Sequence, residues 1–172
     1  MSKAVMLSIR PKWCEKIASG EKTVEVRRKR PKLKTPFKCY VYETQGWVER
    51  DGIMEFALGG RVICEFTCDR IDRLARVGFG GSGEPAKYYI CNSDMSVLPL
   101  VGICEDACLT KEELEKYIGG HEGFGWHISD LKIYDTPKKL SEFTGLRDTR
   151  SGAAPYEINC PPQSWYYVQE ME

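Results

Sequence analysis

Two segments of the chain carry the apolar period of a helix, 11–19 and 111–118, and two helices cannot cover both faces of a parallel sheet. The other apolar runs are short and strand-like. Their order is strand, helix, strands, helix, strands. That order predicts a mixed α+β fold built on a small, partly open β-barrel. A chain of 172 residues, 42% of them hydrophobic, can form one domain with a substantial core.

KAVMLSI (3–9) is apolar enough for a buried strand. Pro11 suits the first turn of a helix. Trp13, Cys14, Ile17 and Ala18 share one helical face, which predicts Trp13 in the core, and Gly20 fits the C-terminal cap. In TVEVR, Val24 and Val26 should point inward. Thr23, Glu25 and Arg27 then share the opposite face, with Lys22 at the helix-to-strand corner. FKCYVYET (37–44) and GGRVICEFTCDRI (59–71) are further strands. In the second, Val62, Cys64, Phe66 and Cys68 alternate with polar residues and should face the core. Thr110 to Glu113 form a capping box ahead of the stripe Leu114, Tyr117 and Ile118, and Gly119-Gly120 end that helix. Residues 125–143 predict one long or broken strand followed by a short helical turn. Residues 147–162 have the composition of a loop, and 163–170 that of a last strand.

Residues 78–108 lack a clear period and are expected to be an irregular insertion. Within them Gly78, Gly80 and Gly83 match G-x-G-x-x-G. Glu84 and Pro85 follow where a helix would have to start, so a loop is expected rather than a dinucleotide site. The eight cysteines include the CxxxC pairs 64/68 and 104/108, but no partner pair completes a ligand set, and His121 and His127 are isolated. No metal and no cofactor are expected. The N-terminus lacks a signal-like apolar core, and no run reaches the ~18 apolar residues of a membrane helix. The expectation is a soluble, cytoplasmic protein with reduced thiols and no membrane partner.

Charge is distributed unevenly. Residues 1–40 hold 12 Lys or Arg against three acids, although the whole chain has 25 of each. Six of the eight residues from Arg27 to Lys34 are cationic. Such a local field can steer a polyanion. Lys22, Glu25 and Arg27 can converge on one side of the sheet. The guanidinium offers a rigid fork of donors, and the carboxylate can accept from an amide or exocyclic amine. Exposed ion pairs contribute only ~0–1 kcal/mol, so stability alone is a weak reason for the cluster.

The stretch GEKTVEVR resembles the G-x-K-x-x-E-x-R signature of the ASCH domain, part of the PUA-like superfamily. Gly20, Lys22, Glu25 and Arg27 occupy its fixed positions. SIRPKWCEKIASGEK resembles the strand-helix entry of small bacterial and phage-borne members. PFKCYVYET resembles their second barrel strand, and GWHISDLKIYDTPKKLSEF and PPQSWYYV the closing part of stand-alone members. The resemblance implies a five- or six-stranded pseudo-barrel spanning residues 1–172 as one domain, with a cleft beside the first helix. It implies an association with RNA. It also implies possible chemistries, since some members deacetylate acetylated cytidine nucleosides and others have been proposed as ribonucleases. The amidohydrolase members carry a nucleophilic Thr three residues after the Lys. Glu25 stands there in this chain, and Thr23 is a shifted substitute.

Three functions follow as expectations. The first is RNA or modified-nucleotide binding, with Lys22, Glu25 and Arg27 holding a base. Arg28, Lys29, Arg30, Lys32 and Lys34 would hold phosphates, and Trp165 or Trp47 would stack. The second is hydrolysis of a modified nucleoside or of RNA, with Lys22, Glu25 and Arg27 as the catalytic set and Thr23 as a weaker candidate. The third is a protein-interaction module using RRKRPK.

Overall fold

The computed structural model describes residues 2–78, 86–91, 96–150 and 152–171. Strand β1 (Lys3–Ile9) leads into helix α1 (Pro11–Ala18), followed by β2 (Val24–Arg27), β3 (Phe37–Glu43) and the hairpin β4 (Gly46–Arg50) and β5 (Ile53–Ala57). The long β6 (Arg61–Val77) precedes β7 (Lys87–Cys91), β8 (Val97–Leu98), α2 (Val101–Asp106) and α3 (Lys111–Ile118). The long β9 (Gly123–Lys138), a 3-10 turn (Leu140–Glu142), β10 (Thr144–Thr149), β11 (Gly152–Glu157) and β12 (Trp165–Gln169) complete the chain.

Six strands run in the order β12-β1-β3-β6-β9-β2. β1 pairs in parallel with β3, and the other pairings in this path are antiparallel. Among the described residues no ladder joins the two ends of this path; Arg27 of β2 bridges them instead, reaching Ser8 in β1 and Ser164 just ahead of β12. This seam makes the structure a pseudo-barrel. β6 and β9 are long enough to serve two parts of the sheet because bulges interrupt their ladder, and each bulge bends and twists the pair.

The pattern of burial follows the two faces. Val5, Leu7 and Ile9 of β1 join Phe37, Cys39, Val41, Cys64, Phe66, Cys68 and Trp126 in the barrel interior, which Cys14 and Ile17 of α1 plug. Ala4 and Met6, on the other face of β1, pack with Tyr40, Val62, Phe143 and Val168. A strand buried on both faces reads as a continuous apolar run, and KAVMLSI is one. Val24 and Val26 face a third cluster, formed with Ile103, Leu114 and Ile118 of α2 and α3. Gly125 lies opposite Val26 and permits this packing, because a Cβ there would crowd Ile103 and Val24.

Several expectations are corrected. Residues 147–162 are not a loop throughout: β10 and β11 form a hairpin in register from Thr144↔Glu157 to Thr149↔Gly152. The segment expected to be irregular carries β7, β8 and α2 among its described residues. Gly80 and Gly83 of the glycine motif lie outside the described residues. Trp47, a stacking candidate, lies in β4 paired with Phe56 across the hairpin.

Candidate functional site

The corner between α1 and β2 is set by local geometry. Pro11 opens α1, and Gly20 adopts a left-handed φ of 79°, which turns the chain back so that the Lys22 amide donates to the Lys16 carbonyl at 2.9 Å. β2 then pairs with β9, placing Glu25 opposite Trp126 and Arg27 opposite Phe124. Opposed residues share a face, so the two charged side chains point into the barrel interior at the seam while Val24 and Val26 point to the helices.

The three polar signature side chains are buried, Lys22 at 3% exposure and Glu25 and Arg27 at 7% each. Lys22 Nζ lies 3.4 Å from Glu25 Oε2, and Arg27 Nε lies 3.0 Å from Glu25 Oε1. Lys22 also donates to the Ala107 carbonyl at 2.8 Å and lies over the Trp13 ring, 5.1 Å from its centroid. Arg27 crosses the seam. Its Nη2 donates to the Ser8 carbonyl at 2.8 Å, and its Nη1 reaches the Ser164 hydroxyl and carbonyl at 3.3 and 3.4 Å. The Arg27 Nε contact with Glu25 is an ion pair by distance, but its N–H is not aligned for a hydrogen bond. That nitrogen and the Ser8 hydroxyl are buried without a hydrogen-bond partner in the protein.

These groups line a cavity of about 570 Å³, within the range of small-ligand sites. Ile9, Trp13, Val26, Leu109 and Tyr117 supply apolar wall, and Lys22, Glu25 and Arg27 supply the polar floor. Two cations and one carboxylate share the floor. The carboxylate has about four acceptor positions, two of them facing its cations, so it retains capacity for a donor from a ligand. The Cys14 thiol on α1 donates to the Ile9 carbonyl at 3.6 Å; burial, reinforced by Glu43, pushes its pKa far up, so it remains a thiol rather than a nucleophile. Burial pushes the Cys64 and Cys68 thiols up to about 12. Among the described residues, no three His, Cys, Asp or Glu side chains cluster as metal ligands would.

Thr23 is exposed and does not line the cavity. Its amide donates to the Asp106 carbonyl and its carbonyl accepts from the Ile128 amide, so the main chain there is structural. Arg28 does not line this cavity but the adjoining one, where its Nε donates to the Tyr117 carbonyl at 2.7 Å and its guanidinium lies over the Tyr117 ring. Lys29, Arg30, Lys32 and Lys34 are exposed. Trp165 does not line this cavity; it sits farther along the seam, with its Nε1 donating to the Lys29 carbonyl at 3.3 Å. Trp13, expected in the core, is half-buried and forms cavity wall, as does Tyr117. Sequence reasoning missed Ser8, Ser164 and the Ala107 carbonyl, whose contacts join positions far apart in the chain.

A family model described as the ASCH domain matches residues 7–76, the segment that carries α1, β2 and the signature. No curated protein matches the chain. Among solved structures, the ASCH protein of Zymomonas mobilis aligns with a TM-score of 0.58 at 18% identity, covering 97% of this chain and 88% of that one. A Tyr-to-Phe variant of the Zymomonas mobilis protein aligns at 0.59 and 18%, covering 98% and 92%. A Ser-to-Ala variant aligns at 0.58 and 18%, covering 97% and 89%. At this identity the likeness is one of fold, and it extends over nearly the whole chain. Residues 7–76 match the ASCH domain, and the chain as a whole has an α+β pseudo-barrel fold like that of the Zymomonas mobilis ASCH structures.

Proposed function

We propose that this protein binds RNA or a modified nucleotide by taking one base into the cavity at the barrel seam. ASCH domains belong to the PUA-like superfamily, whose members are generally associated with RNA. The observation that carries the reading is the convergence of Lys22, Glu25 and Arg27, all buried, on the floor of a cavity sized for a nucleoside. Buried ion pairs are a poor device for stability, because desolvation offsets the attraction. A polar ligand gives the cluster a purpose. The Glu25 carboxylate accepts from an exocyclic amine, which cytosine, adenine and guanine all carry. Lys22 and Arg27 flank that carboxylate and complete the polar floor. Trp13 and Tyr117 bound the base, and Arg28, beside Tyr117 in the adjoining cavity, meets its phosphate.

Calorimetric titration with cytidine monophosphate tests this. Binding is expected, and Glu25→Gln should weaken it about tenfold, in line with the ~1.5–3 kcal/mol of a hydrogen bond to a charged group. Equal affinity for both proteins would remove Glu25 from the site.

A further inference from the structure

The β4-β5 hairpin stands apart from the main sheet as a two-stranded sheet of its own. Such a hairpin is marginal alone and needs something to pack on. One of its faces rests on α1: Val48 is buried, Gly46 lies against Pro11, and Arg50 is ion-paired with Glu15. The register puts Trp47, Glu49, Met54 and Phe56 on the opposite face, with Leu58 just past the end of β5. A sheet face turned to water normally carries polar residues. This one carries the reverse, for Trp47, Met54, Phe56 and Leu58 are 64%, 57%, 48% and 75% exposed. Trp47 and Phe56 meet edge to face at 5.3 Å, so the two rings form one continuous surface. Single exposed apolar side chains are ordinary, but a contiguous group of large ones marks an interface.

We propose that this face joins two copies of the protein, their hairpins packed face to face across a two-fold axis. Trp47 is then a protein contact rather than a platform for a base. Charge and area favour this occupant. Residues 46–58 hold three acids, Glu49, Asp51 and Glu55, against one base, Arg50. That balance repels nucleic acid and anionic lipid. The four apolar side chains present on the order of 500 Å² to solvent, taking a whole large side chain as ~150–250 Å². Two copies together then bury about 1,000 Å², the lower bound for a specific interface. An interface of that size gives a reversible dimer with a dissociation constant on the order of 10 µM. A two-fold contact uses the same patch on both copies, so no second surface is required. Glu49 is the one charge on this face; it is exposed and lies next to the turn, where it stays in water at the rim.

Sedimentation velocity of the full chain tests this. The wild type should pass from monomer to dimer across about 1–100 µM. Met54→Lys and Leu58→Lys each place a charge in the patch while changing only an exposed side chain. Each should weaken association at least about tenfold, because the charge would be buried without a partner. The second variant keeps the test valid if the first does not fold. Val101→Lys changes an exposed apolar position on α2 and should dimerise like the wild type. A wild type that stays monomeric over the whole range overturns the proposal, and binding of that monomer to phosphatidylcholine vesicles would assign the face to lipid instead. Dimers that survive both patch variants, or that Val101→Lys disrupts as strongly, place the interface elsewhere and overturn it too.

Discussion

The ammonium of Lys22 donates to the carbonyl of Ala107 at 2.8 Å, across 85 positions of sequence. The neighbouring Thr23 amide donates to Asp106 in the same segment. The signature corner and the end of α2 are therefore fixed to one another, and Leu109, a few residues on, completes the cavity wall.

Removing that ammonium leaves the Ala107 carbonyl without its side-chain donor and Glu25 with Arg27 as its one cation in the cluster. Breaking one partner of a buried pair costs about 3–5 kcal/mol. Lys22→Ala should lose stability on that scale in urea denaturation. A loss below about 1 kcal/mol would mean that the pair is solvated and the corner not closed.

Salt dependence reports the phosphate contacts. For a single strand, each phosphate neutralised contributes about 0.7 to the slope of log affinity against log salt. Lys29→Ala and Arg30→Ala should each reduce the slope by about that amount, with similar effect across sequences. A slope equal to that of the wild type would place the strand elsewhere.

The strand-rich class, the entry from β1 through α1 and the inward alternation of Cys64, Phe66 and Cys68 were legible because each rests on a local period; Val62 was not, because a bulge between it and Cys64 turns it to the other face, beside Ala4 and Met6. The convergence of Lys22, Glu25 and Arg27 was legible from strand parity. Trp13 was not, because a helix face lining an apolar cavity wall has the same pattern as one facing the core. Tyr117 misled for the same reason. The hairpin of β10 and β11 was hidden by GAAPYE, whose glycine and alanines have little strand propensity and which is held by its partner strand. The seam itself leaves no local signal, since it is made of contacts such as Arg27 with Ser8 and Trp165 with Lys29.

That hairpin has a sharp packing constraint. Gly145 lies opposite Tyr156, and a Cβ at Gly145 would overlap the ring. Gly145→Ala should destabilise the protein by about 1–3 kcal/mol, the usual effect of overpacking, and the pair Gly145→Ala/Tyr156→Ala should recover part of it. Thermal unfolding of the three variants checks this. A neutral Gly145→Ala would mean the ring swings aside freely.

Acid stability follows from two carboxylates. Burial raises the Glu65 carboxyl, but hydrogen bonds from Tyr134 and Lys38 outweigh it and hold the group below its ordinary 4.5. Burial of Asp72 is likewise outweighed by His127 and Arg70, leaving it below 3.8. The unfolded chain then binds more protons than the folded one, so the stabilisation is complete above these ordinary values and is lost as pH falls through the lower folded ones. Urea midpoints should drop on acidification below about pH 4.5, and drop less in Asp72→Asn and Glu65→Gln. Parallel pH profiles for wild type and both variants would reject this assignment.

The most direct measurement is a crystal structure of the protein with cytidine monophosphate or a short oligocytidylate. The base should lie in the cavity between Trp13 and Tyr117, its exocyclic amine within hydrogen-bond distance of the Glu25 carboxylate and its phosphate beside Arg28. Electron density for the base outside the seam, with the cavity unchanged and empty around Lys22, would contradict the proposed site.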